Sequence, residues 1–177
     1  MTTPPAGAQP ILELDRGLPA WLLRIVLFLA GSGASLDLLG DGLISVVLVV
    51  LLVLSVVTAF VPASPAPAML IGAVAIAVAV AGGDPLRPAV LLEIPLLHLI
   101  HVTASISALV PLRAVIRPAA LVKPARRFLF VQIAVFAIVG LAEILPTGQN
   151  STVVELAGLF AVVGLVFLAI RFLTREK

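Results

Sequence analysis

Long apolar stretches, each closed by a few glycines, prolines or charges, follow one another from Leu18 to Leu173. A helix needs roughly 20 apolar residues to cross a hydrocarbon core about 30 Å thick, within a range of about 17–25. The pattern predicts six such segments, at 18–39, 43–61, 67–82, 89–112, 128–145 and 152–173. The turns between them are the expected breakers: Gly40-Asp41-Gly42, Pro62 to Pro67, Gly83 to Pro88, and Pro146 to Ser151.

The segments differ in kind. The first has Trp21 at its start and Arg24 one turn inside, from where the guanidinium can snorkel back to the headgroups. Its second half, Ala30 to Ser35, is a run of small residues that permits close helix contact or a local break. The second is almost wholly Val and Leu and is expected to face lipid. Its Ser45, Ser55 and Thr58 can bond carbonyls one turn earlier. The third is short and rich in alanine, with Ala68, Gly72, Ala75, Ala79 and Gly82 in a seam at helical spacing. It is expected to be an internal, tightly packed helix, with a re-entrant segment as the alternative. The fourth should kink or loosen near Pro95, which removes one backbone hydrogen bond.

Composition turns this pattern into a class. The chain has 177 residues, 62% hydrophobic and 11% charged, with mean hydropathy +1.26. Soluble domains average roughly 45–50% apolar and about 25% charged. So little polar surface cannot cover a water-soluble domain, and an all-α, polytopic helical membrane bundle is expected. Residues 1–17 lack the parts of a signal peptide and read as a retained cytoplasmic tail. Residues 18–173 form the membrane domain, and 174–177 close the chain. Cysteine is absent, which excludes disulfides and thiolate metal sites. The Ala, Val, Leu, Pro and Arg usage resembles that of proteins from high-GC bacteria, so the expected bilayer is a bacterial inner membrane.

Charge then orients the bundle. Lys and Arg in short loops stay cytoplasmic. Residues 113–127 form the longest basic loop, with Arg113, Arg117, Lys123, Arg126 and Arg127. With both termini cytoplasmic, ten of the eleven Lys and Arg residues lie on or near the inner face, and only Arg87 lies outside. The pI near 9.9 therefore reports orientation and lipid contact, not nucleic-acid binding. The loop suits a segment lying at the inner interface, bound to headgroups or docking a cytoplasmic partner.

The candidate chemistry is sparse. Asp37, Glu93, Glu143 and Glu155 fall at similar depth in the outer leaflet, either as solvated interfacial acids or as a shared polar vestibule. Glu93 and Glu155 lie in first turns, where the helix dipole favours anions; Asp37 and Glu143 lie at C-terminal ends, where it does not. His98 and His101 are one turn apart, roughly 14 and 18 Å from Ala89 along the helix, near the bilayer middle. Ionisable groups at that depth usually face the bundle interior or a water cavity. They can be a satisfied structural pair, a proton relay or substrate site, or metal or haem ligands. A bis-histidine haem within one chain is excluded, because both imidazoles lie on one helix and there is no third. No Walker A, dinucleotide, HExxH or GxSxG pattern occurs.

The expectation is a non-catalytic accessory or scaffold subunit with no cofactor. Its partners would be the bilayer and other membrane subunits or a second copy. A small transporter or channel acting through His98 and His101 is the alternative, and an intramembrane metal- or haem-binding redox subunit a third.

Overall fold

Prolines and glycines set most of the helix ends. In the computed structural model residues 17–41, 45–84 and 86–144 are described, without the side chains at 40, 41 and 142–144. Among these residues five α-helices form: α1 (Trp21–Asp37), α2 (Ser45–Phe60), α3 (Ala66–Ala81), α4 (Pro88–Leu109) and α5 (Pro118–Ile144). Pro67 and Pro88 fall in the first turns of α3 and α4. There a missing N–H costs nothing, because no intrahelical acceptor exists. Gly82 and Gly83, at φ 65° and 84°, end α3 in a backbone shape that side-chain-bearing residues avoid. Asp84 then closes the turn by accepting the Leu86 N–H at 2.9 Å.

The chain divides into two compact units, residues 1–135 and 136–177. In the first, α1 to α4 pack as an antiparallel bundle. Leu27, Ala30 and Ala34 of α1 meet Leu51 and Ala59 of α2, Leu70 and Val74 of α3, and Ile100 and Ala104 of α4. Small residues let the backbones approach. A Cβ on Gly31 would sit 2.7 Å from Ser55 Oγ and 3.0 Å from Leu70 Cδ2. Ser55 and Ser35 turn their hydroxyls back onto the carbonyls of Leu51 and Gly31. Their polarity is thus satisfied inside their own helices. Of the second unit, the described part is the last turns of α5.

The structure corrects several expectations. Leu18 and Pro19 do not begin a helix. They form β1, antiparallel to β2 (Val115–Ile116), with Leu18 opposite Ile116. Ala20 N–H extends this ribbon to Ala114 O at 2.9 Å, so the approach to α1 is tied to the segment after α4. Residues 118–127 are not loop. Pro118 opens α5, and the helix runs through Lys123, Pro124, Arg126 and Arg127 to Ile144. The basic loop thus shrinks to the segment before Pro118, and the fifth helix starts ten residues before the expected 128. Pro95, where a kink or loosening was expected, lies inside the one helix α4.

The third helix is also turned the other way. Its Pro67, Leu70 and Val74 are buried, whereas Ala68, Ala75, Ala79 and Gly82 are exposed. A Cβ on Gly72 would meet nothing within 4 Å. The small-residue seam therefore lies on the outside of the bundle, and larger side chains make the internal contact.

Among the described residues, two helices are long and apolar enough to cross a membrane, Pro88–Leu109 and Pro118–Leu141. α2 and α3 are apolar but have 16 residues each, short of the roughly 20 a full crossing takes. The expected sixth segment, 152–173, lies outside the described residues, as do most of the tail at 1–17 and all of 174–177.

Candidate functional site

The midpoint of α4 presents its two histidines to different surroundings. His98 lies against α5, its ring 4.8 Å from that of Phe128 and tilted by 32°. Its Nδ1 is 2.8 Å from Gln132 Nε2. As placed, the amide donates to Nδ1, which puts the ring proton on Nε2. Gln132 is 7% exposed, and its Oε1 is buried without a hydrogen-bond partner. Rotating the amide would let Nδ1–H donate to Oε1 and leave the NH2 group in that position instead. One end of this amide therefore has no protein partner in either orientation.

His101 is exposed. It lines a groove of about 440 Å³ between α4 and the start of α3, with Ser64, Pro67, Ala68 and Gly72. Ser105 Oγ donates to the His101 carbonyl at 2.8 Å, a back-bond within the helix that leaves the imidazole untouched.

The carboxylates sit elsewhere. Glu93, in the second turn of α4, is 3% exposed. Asp37, at the end of α1, is half-buried. Both lie toward the end of the bundle where α1 finishes and α4 begins. Neither lines the His101 groove or the groove at the other end of the bundle. Glu143 is in the last turn of α5 with its side chain outside the described set, and Glu155 lies outside the described residues. Among the described residues no three His, Cys, Asp or Glu side chains converge on a point where a metal ion could sit.

The opposite end of the bundle is held by Arg24. Its guanidinium does not reach outward from the first turn of α1. It donates to Ala59 O of α2 at 3.3 Å, and to Ser107 O and Val110 O at the end of α4 at 3.0 and 3.4 Å. The last carbonyls of a helix have no intrahelical partner and carry the negative end of its dipole. One cation thus answers two helix C-termini. The basic residues Arg113 and Arg117 flank β2 and are exposed, and Lys123, Arg126 and Arg127 are exposed along the first turns of α5.

Sequence reasoning passed over Gln132 as the partner of His98 and Arg24 as a double cap. The first had a usable signal. Gln132 is the one amide side chain within the expected spans, and a polar group in such a segment seeks a partner on a neighbouring helix. The pair can be measured by a double-mutant cycle. Gln132→Leu and His98→Leu should each destabilise by about 1 kcal/mol, and the double variant should cost less than their sum by about 0.5–1 kcal/mol. Detergent-titrated unfolding followed by circular dichroism reads these values; strict additivity would show that the two side chains do not interact.

No protein-family model, curated protein or solved structure matches this chain.

Proposed function

We propose that the protein is a multi-pass inner-membrane subunit without catalytic activity, whose α5 docks onto other membrane polypeptides or a second copy. The observation that carries this is the surface of α5 between Val122 and Ile133. Val122, Leu129, Phe130, Val131 and Ile133 are all exposed, while Gln132 and Phe128 engage α4. Exposed apolar side chains on this scale mark a membrane or protein contact. The divergence of His98 and His101, with Glu93 toward the far end of α4, gives a transport path less support than packing does.

In the orientation we propose, the ribbon, Arg24 and the basic start of α5 face the cytoplasm. Both termini lie on that side if 152–173 forms a sixth span. The chain has no native cysteine, so single-cysteine labelling is clean. Cysteine at Arg126 should react only after the membrane is opened, and cysteine at Gly83 should react in intact cells. The reverse pattern would overturn the orientation.

The docking role has its own test. A photo-crosslinking residue at Phe130 should yield a discrete protein adduct, with the chain itself or another polypeptide. Adducts to lipid alone would remove the accessory role and leave α5 as a helix bathed in lipid.

A further inference from the structure

At the Arg24 end of the bundle, α1 and α2 part to leave a groove of about 360 Å³. Ile25 and Phe28 form one wall, Val56 and Phe60 the other, and Arg24 and Leu112, of the segment after α4, complete the lining. The volume lies within the roughly 300–1,000 Å³ of small-ligand sites, but the lining is hydrocarbon apart from one guanidinium. Water gains no hydrogen bonds along such walls, so an apolar occupant is favoured.

The one charge in the lining narrows the choice. Among the described residues, the partners of Arg24 are carbonyl oxygens, with no carboxylate. Two helix dipoles offset its charge in part, and Nε–H is not engaged by those three bonds. Arg113, next to the lining residue Leu112, is exposed and adds a second cation. Phe28 and Phe60 stand as exposed walls.

An apolar slot with a cationic end matches an amphiphile with one hydrocarbon chain in the slot and an anion at its head. We propose that this groove binds an anionic phospholipid, one acyl chain lying between α1 and α2 and the phosphate facing Arg24 and Arg113. The proposal rests on the membrane reading above and adds a lipid class and a site to it.

The test uses the full chain reconstituted into vesicles of equimolar phosphatidylglycerol and phosphatidylcholine. The chain is then extracted in mild detergent and weighed as an intact complex. We expect one phosphatidylglycerol per chain, retained at least fivefold over phosphatidylcholine. Val56→Trp, which fills the slot, should lower that retention at least fivefold at unchanged helicity. Phe60→Ala, which removes an exposed wall, should lower it as well, and Arg113→Gln should bring the two lipids toward parity. Equal retention of both lipids by the wild type, or retention unchanged by both groove variants, would overturn the site. So would a crosslink from position 56 to protein instead of lipid. Failure of the chain to float with vesicles after an alkaline carbonate wash would overturn the membrane reading itself. A chain that floats but keeps neither lipid overturns the lipid site alone.

Discussion

Gly31→Leu is expected to unfold the four-helix unit or leave it destabilised by about 3 kcal/mol, while Gly72→Leu should be neutral or mildly stabilising. The two glycines are each in the middle of a helix, so backbone propensity favours their replacement equally, by roughly 0.5–1 kcal/mol. They differ only in what lies opposite. At Gly31 the first added carbon already meets Ser55 Oγ at 2.7 Å and Leu70 Cδ2 at 3.0 Å. Ser55 cannot swing aside cheaply, because its hydroxyl is bonded to Leu51 O at 2.8 Å. Leu70 is fully buried and has nowhere to retreat. The remaining carbons of a leucine would force α1 away from both α2 and α3, and in the membrane setting we propose, lipid supplies little hydrophobic force to pull them back. At Gly72 nothing lies within 4 Å of the new carbon. Unfolding in a mild-detergent-to-SDS titration, followed by circular dichroism, compares the two directly. Equal stability of the variants would mean that α1 and α2 do not approach closely at Gly31.

The same pair of glycines shows what could be read from the chain and what could not. Small residues at helical spacing are visible in the sequence on both α1 and α3. On α1 they do face a neighbour. On α3 they face outward, and Pro67, Leu70 and Val74 make the internal contact. Sequence pattern normally reveals a buried face because the other face is polar. In α3 both faces are apolar, so the contrast that would orient the helix is missing. Where Pro and Gly punctuate the chain, helix ends were legible to within a few residues: α2 at 45–60 against 43–61, α3 at 66–81 against 67–82, α4 at 88–109 against 89–112.

The start of α5 failed for the opposite reason. Arg117, Lys123, Arg126 and Arg127 suggested a loop because their charge is unwelcome in hydrocarbon. Charge does not prevent a helix from forming in the interface. Pro118 suits a first turn, Ala119, Ala120 and Leu121 are good helix formers, and Lys123, Arg126 and Arg127 fall at i, i+3 and i+4. At the site, individual polar residues could be found by eye, but their partners could not. His98 meets Gln132 from 34 positions away, a pairing set by how α4 and α5 lean together, not by any local motif.

Arg24 supplies the second large effect. Removing its head group, as in Arg24→Leu, should cost about 2–4 kcal/mol, because carbonyls at the ends of two helices lose a charged donor, Ser107 O keeping only the Val110 N–H at 3.4 Å. The bonds to Ala59, Ser107 and Val110 are charge-assisted, which strengthens a bond of given length. The positive charge also opposes two negative dipole ends, an effect of about 0.3–1 kcal/mol for each helix. Arg24→Lys keeps the charge but replaces a planar fork by a single ammonium. It cannot span α2 and α4 at once, so it should recover less than half of the loss. Arg113→Leu, an exposed change in the neighbouring segment, should lie within about 0.5 kcal/mol of the wild type and controls for charge alone. If Arg24→Leu proves as stable as Arg113→Leu, the guanidinium spends its time among headgroups as a snorkelling side chain would, and the two helix ends find their donors in water or lipid.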